Sequence, residues 1–186
     1  MKKIKFLFLF LILFLLKISN SYSLVQVDIT RGNLDPLPIA VSPFFSEKDV
    51  KNELNNQLNI EDLGLEISKV VANNLKRTGL FNTLSKEAFL QKPDIAHLKP
   101  RFEDWTLIKS QILITGKVST VTTDKEKLLK VEFKLWDVLA AKLVDGFSLI
   151  TVTSNWRRVG HKISDKVYKR LTGEAGYFDT RIIYVS

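Results

Sequence analysis

The apolar positions of this chain follow several distinct spacings, and each spacing predicts a different element. The first is an unbroken run: residues 6–16 are eleven consecutive apolar side chains, preceded by Lys2, Lys3 and Lys5 and stopped by Lys17. A positive start, a short apolar run and the small residues Ser21 and Ser23 around Tyr22 read as a secretory signal peptide, residues 1–23, cleaved between Ser23 and Leu24. The alternative is an uncleaved anchor, but crossing the hydrocarbon core takes about 20 apolar residues.

Behind the leader, alternation takes over. Val25, Val27 and Ile29 alternate with Gln26, Asp28 and Thr30, the period of a half-buried strand or of a segment able to become one. Residues 32–36 carry turn chemistry. Residues 38–44, pinned between prolines, are mostly apolar and read as a short buried strand. Residues 46–60 place four asparagines and a glutamine among leucines and read mainly as loop.

Helical spacing begins with Leu63, Ile67, Val70, Val71, Asn74 and Leu75, which predict a helix over residues 62–78. Glu61, Asp62 and Glu66 sit at its start and Lys76 and Arg77 at its end, both signs suiting the helix dipole, and Gly79 follows as the stop. A short strand at 81–84, a turn of helix at 85–90 and a loop bracketed by Pro93 and Pro100 come next. The segment around Trp105 and Leu107 carries no firm signal.

A strand opens at 112 and a polar turn follows at 122–126. Leu129, Val131, Phe133 and Leu135 then alternate with Lys130, Glu132 and Lys134, giving a hairpin. Asp145-Gly146 predicts a turn before a third strand at 147–153. Trp156, Val159, Ile163, Val167 and Leu171 mark a second helix ended by Gly173, with Asp165 placed four residues ahead of Lys169 for an ion pair. Residues 181–186 are strand-like, either the last strand of the sheet or the first of a further unit. The sum is an α+β (mixed α/β) fold: a mixed β-sheet of four to five strands covered on one face by two main helices.

Charge and composition narrow the function. The chain has 28 basic and 20 acidic residues; Lys2, Lys3, Lys5 and Lys17 leave with the leader and no acid does, so residues 24–186 carry 24 against 20. That surplus is ordinary for a soluble domain and gives no argument for nucleic acid. Without cysteine, disulfides, thiol catalysis, thiolate metal sites and a lipid anchor on cysteine are excluded. His97 and His161 stand 64 positions apart and in no metal spacing; a loop position and a helix boundary are the expected places.

No nucleophile elbow, phosphate loop or dinucleotide fingerprint occurs, and Ser148, Ser154 and Ser164 have no catalytic context. Glu103-Asp104 reads as a helix start or a solvated turn, and Asp137 as a turn or cap. No catalytic residue, metal ligand or cofactor is therefore assigned. Trp105 and Trp156 are core anchors; Trp136 either faces a partner or lies under a helix. The strongest site candidate is the segment Leu24, Val25, Gln26, Val27, Asp28, Ile29, Thr30, Arg31 and Gly32, which would begin the mature chain. It reads as an ordinary first strand, as a segment docked on its own domain, or as a strand added to a partner's sheet.

Several stretches, in this order and spacing, resemble the TolB amino-terminal domain family. They are Ile29-Thr30-Arg31-Gly32, Pro38-Ile39-Ala40-Val41-Ser42-Pro43-Phe44 and Val70-Val71-Ala72-Asn73-Asn74-Leu75-Lys76-Arg77-Thr78-Gly79-Leu80-Phe81. Further along come Val131-Glu132-Phe133-Lys134-Leu135-Trp136-Asp137-Val138 and Asn155-Trp156-Arg157-Arg158-Val159, and the closing match runs His161-Lys162-Ile163-Ser164-Asp165, Leu171-Thr172-Gly173-Glu174 and Tyr177-Phe178-Asp179-Thr180-Arg181-Ile182.

The resemblance implies a periplasmic component of the Tol–Pal system of Gram-negative bacteria, which supports outer-membrane integrity and constriction at division. It implies no catalysis and no cofactor. It implies that the mature N-terminus, Leu24 to Gly32, contacts the periplasmic domain of TolA, and that a β-propeller after this domain binds Pal. Some members carry Asp and Ser where this chain has Thr30 and Arg31, which alters electrostatic matching to a partner. Ser42 replaces a usually apolar residue, and the polar stretch 46–60 is longer than usual. The sequence shows no repeat of the roughly 40–45 residues expected of propeller blades of the best-known kind. A Pal contact is thus expected only with a propeller supplied elsewhere, and a truncated remnant is one alternative. A small periplasmic ligand-binding domain, lined by Trp136, Asp137 and Trp156, is another.

Overall fold

A computed structural model describes residues 35–124 and 126–180. Its strands are β1 (Leu37–Val41), β2 (Phe45–Ser46), β3 (Phe81–Thr83), β4 (Ile112–Thr122), β5 (Lys127–Asp137) and β6 (Lys142–Thr151). They form one mixed sheet in the order β3-β1-β4-β5-β6, with β2 pairing farther along β4. β1 runs parallel to β3 and β4, while β4, β5 and β6 are antiparallel neighbours. The expected four to five strands are the five of this path, and the two-residue β2 is the sixth.

Two long helices cover one face: α2 (Leu63–Arg77) and α5 (Trp156–Thr172). The alternation read in β5 is the core face. Leu129, Val131, Phe133 and Leu135 are buried against Leu63, Ile67, Val71 and Leu75 of α2 and Val159, Ile163, Val167 and Leu171 of α5. β1 and the start of β4 read instead as unbroken apolar runs because both their faces are covered. Ile39, Ile112 and Ile114 join the helix-side core, while Ala40 and Leu113 point the other way into a second cluster with Trp105. That cluster lies under the 84–110 segment, which holds the short helices α3 (Pro93–Ala96) and α4 (Phe102–Leu107). Pro93 begins α3, where its missing N–H costs nothing. The loop expected between Pro93 and Pro100 is therefore partly helical.

Both helices end as their sequences predict, on Gly79 and Gly173 with φ of +73° and +83°. At the start of α2, the Asp62 carboxylate accepts hydrogen bonds from the amides of Gly64 (2.9 Å) and Leu65 (3.3 Å) and from the Ser46 hydroxyl (2.8 Å). The cap thus ties α2 to β2. Asp62→Ala is expected to cost about 1–2 kcal/mol of unfolding free energy, and Asp62→Asn much less. Urea denaturation followed by circular dichroism checks both; equal losses would remove the capping account.

Three further expectations change. Residues 46–60 are not mainly loop: after β2, a π-helical stretch (Val50–Leu54) runs into an α-helical turn (Asn55–Leu58), together α1. Val50 and Leu54 are buried in the core and Leu58 packs against it, an i, i+4, i+8 stripe among polar residues. The Asn55 side chain joins α1 to the start of α2 through the Glu61 carbonyl (2.8 Å) and the Leu63 amide (3.2 Å).

Asp145-Gly146 is no turn. β6 starts at Lys142, and the chain reverses at residues 138–141, where the Asp137 carboxylate accepts the Ala140 amide (2.9 Å) and Ala141 is left-handed. Gly146 lies inside the strand, beside a bulge where the register slips between Leu135 and Trp136, and a Cβ there would come within 2.8 Å of the Phe133 carbonyl oxygen.

Finally, Asp165 does not turn to Lys169. Its two oxygens accept the backbone amides of Phe178 (2.7 Å) and Asp179 (3.1 Å). The strand-like run 181–186, the alternating segment 24–31 and the leader lie outside the described residues.

Candidate functional site

The segment Leu24 to Gly32 and the cleavage point at Ser23 and Leu24 also lie outside the described residues. The described residues begin at Asp35 and Pro36, which lead into β1, an interior strand between β3 and β4; the Leu37 amide bonds to the Leu80 carbonyl at 2.9 Å.

The other residues singled out by sequence have structural employment. His97 closes α3, its Nδ1 lies 2.9 Å from the Pro93 carbonyl, and its ring stacks on Phe45 at 4.7 Å. His161 lies on α5 facing α2. The Asn74 amide nitrogen donates to His161 Nδ1 (2.9 Å) and to the Ser164 hydroxyl (3.0 Å), which donates to the Gly160 carbonyl (2.8 Å). This polar clasp sits beside a close approach of the two helices, where a Cβ on Gly160 would lie 2.7 Å from Val70. Asp104 pairs with Arg101 at 2.7 Å at the start of α4. Asp137 caps the turn after β5.

The trio considered as a ligand pocket does not converge. Trp156 belongs to the helix-side core, whereas Trp136 packs on the cluster of the opposite face. Trp136 donates to the Thr115 hydroxyl (3.0 Å) and meets Phe102 of α4 edge-on at 5.8 Å, so it lies beneath a helix.

The concavities on the surface are open. One of about 360 Å³ lies along β5 and β6 beside Glu132, Lys134, Leu143 and Ser148. Another of about 160 Å³ lies between His97, Leu98, Lys117 and Lys134. Glu132 stands in both, and its hydrogen bond from Lys130 holds its carboxyl below the usual carboxylate range. Among the described residues no three or more His, Asp or Glu side chains gather to hold a metal ion. Also among these residues, no helix is long and apolar enough to cross a membrane.

One arrangement escaped sequence reasoning. After Gly173 the chain folds back along the outside of α5. Asp165 holds the amides of Phe178 and Asp179, Arg158 pairs with Asp179 at 2.9 Å, and Tyr177 and Phe178 pack on Tyr168. Burial pushes the Tyr168 hydroxyl up from its ordinary range, with Tyr177 and Glu174 adding to the shift. A Cβ on Gly176 would strike Asp165 at 2.3 Å, so this return fits only with glycine there. The available signal was the Gly-Tyr-Phe-Asp run after the helix stop.

Comparison with known proteins places these features. Residues 25–144 match the family described as the TolB amino-terminal domain. The Tol-Pal system protein TolB of Pelagibacter ubique (strain HTCC1062) is 58% identical over 183 residues, 98% of this chain and 40% of that protein. Among solved structures, TolB from Acinetobacter baumannii superposes with a TM-score of 0.59 at 21% identity, covering 84% of this chain and 33% of that one. The hypothetical protein CT253 from Chlamydia trachomatis shares the fold at a TM-score of 0.51 and 11% identity, covering 75% of this chain and 100% of its own. The chain thus spans 40% of the length of its Pelagibacter relative.

Proposed function

This chain belongs to the TolB amino-terminal domain family, and from that premise we propose that it is a periplasmic protein–protein interaction module of the Tol–Pal system. In this reading it is exported behind a leader removed after Ser23, and residues 24–186 act by binding, not by catalysis. The mature N-terminus, Leu24 to Gly32, engages the periplasmic domain of TolA. Contact with Pal belongs to a propeller and enters only where one is supplied.

The observation that carries the reading is the family match, which begins at Val25 and so includes most of the terminal segment. Its chemistry supports the same role. Laid as a strand, the segment's alternation would put Val25, Val27 and Ile29 on one side for apolar contacts and leave its backbone groups to a partner's sheet edge. Of the serine and acid positions weighed for catalysis, Ser164, Asp104 and Asp137 are engaged in structural bonds.

The test is calorimetric titration of residues 24–186 into the periplasmic C-terminal domain of TolA from the same species, beside a version lacking residues 24–32. The expected result is binding by the first and none by the second. Undiminished binding after the deletion would sink the terminal-segment mechanism.

A further inference from the structure

We propose that the outer edge of β6 is a second docking site, which receives an extended, acidic segment of a partner protein as an added strand. This surface is separate from the terminal segment and adds a partner contact beyond the reading above.

The sheet has two edges, and they differ. β3 offers three residues, whereas β6 offers ten and, among the described residues, pairs only with β5. An unpaired edge of that length is a template for another strand unless it is blocked. The first half of β6 is blocked, by the bulge opposite Leu135 and Trp136, by Asp145 and by Gly146. The second half is not. From Phe147 to Thr151 the register is regular and there is neither proline nor charge. Ile150 is 55% exposed there, and Val152 just beyond is 39% exposed.

Charge selects the occupant. After the turn at Thr153–Asn155, α5 runs back over the sheet, and Lys166 reaches Asp145 of β6 at 3.4 Å. The contact sets one flank of α5 over the β6 edge. Lys162, Lys166 and Lys169 fall at i, i+4 and i+7 and share that flank. Because α5 runs antiparallel to β6, a residue one turn nearer the helix start than Lys166, such as Lys162, falls toward the regular half of β6. Lys162 and Lys169 are exposed and make no ion pair among the described residues. Asp165, the single acid of α5, is turned to the tail.

A strand laid on this edge therefore meets cations on the helix side and the apolar Ile150 on the other. Alternating carboxylate and apolar side chains satisfy both. A second copy of the chain does not, because pairing two β6 edges brings two lysine flanks together.

The experiment titrates the ¹⁵N-labelled exported protein with a capped eight-residue peptide alternating valine and glutamate. Its counterparts alternate valine with lysine, or carry N-methyl groups on the valines. Amide shifts are expected at residues 147–151 and 162–166 with the glutamate peptide alone. Binding should weaken at least about fivefold in the Lys162→Glu, Lys166→Glu double variant and in about 0.5 M salt. The N-methylated peptide keeps its charge and loses strand donors, so its failure to bind marks strand addition. Equal binding by it, equal binding by the lysine peptide, shifts mapping elsewhere, no shift at millimolar peptide, or a β6-mediated dimer of the free protein each overturns the proposal.

Discussion

Replacing Trp105 by alanine is expected to cost about 3–5 kcal/mol of unfolding free energy, although the residue lies on the side of the sheet away from both long helices. Its indole is 1% exposed and packs edge-on against Phe89 at 5.1 Å. The indole N–H donates to the Gln91 side-chain oxygen at 3.0 Å, and the same oxygen accepts the Arg101 amide at 2.9 Å. The Gln91 amide nitrogen reaches the Lys99 carbonyl at 3.3 Å. Gln91 is thus a buried hub that holds the 84–110 segment in its path, and Trp105 is the mass that fills the space beneath it.

Truncation removes the packing and one of the hub's bonds together. Trp105→Phe separates the two terms: it keeps most of the volume and loses the N–H, so about half the cost or less is expected to remain. Chemical denaturation read by circular dichroism measures both variants. A loss under about 1 kcal/mol for the alanine variant would mean that the outer-face cluster unfolds apart from the main core.

That second cluster also explains what was legible in the sequence. Where one face of an element is wet, periodicity reports it. β5 alternates, and the stripes of α2 and α5 fall at helical spacing, so all three were readable to within a residue or two. Where both faces are covered, as in β1 and the start of β4, only the length of the apolar run remained to be read, and it sufficed.

The segment around Trp105 failed because α3 and α4 are four and six residues long. Neither is long enough for a period to show. α1 failed for another reason. Its buried Val50 and Leu54 are outnumbered by asparagines and charges on the solvent side, and composition outweighed spacing. The turn before β6 failed because Asp145-Gly146 is a strong hairpin signal, whereas the real reversal at 138–141 contains neither glycine nor proline.

The candidate site divides in the same way. The terminal segment is proposed from its alternation and from its place behind the expected leader, and it lies outside the described residues. The β6 edge was not legible in the sequence, because sheet order decides which strand is outermost. Nor does the sequence show that Lys166 of α5 reaches Asp145 of β6.

Gly64→Ala gives the second large effect, and helix propensity predicts its sign wrongly. In a free helix, alanine is favoured over glycine by about 1 kcal/mol. Here a Cβ on Gly64 would stand 2.1 Å from the Phe44 carbonyl oxygen and 2.7 Å from the Ser46 hydroxyl. The Ser46 hydroxyl is half of the α2 cap, and the carbonyl belongs to the short link between β1 and β2. Neither is the free end of a flexible side chain, so the link must move, and a net loss of about 3 kcal/mol is expected in denaturant melts.

Phe44 cannot retreat the other way. A Cβ on Gly116 of β4 would come within 2.4 Å of its ring. The two glycines therefore hold Phe44 from opposite sides, one through its carbonyl and one through its ring. Once either substitution has displaced Phe44, the other finds less to disturb. The double variant Gly64→Ala, Gly116→Ala is expected to fall short of the summed single losses by about 1 kcal/mol or more. Additive losses would mean that each glycine relieves a separate contact, and that the link bearing Phe44 is not the shared element joining α2 to the sheet.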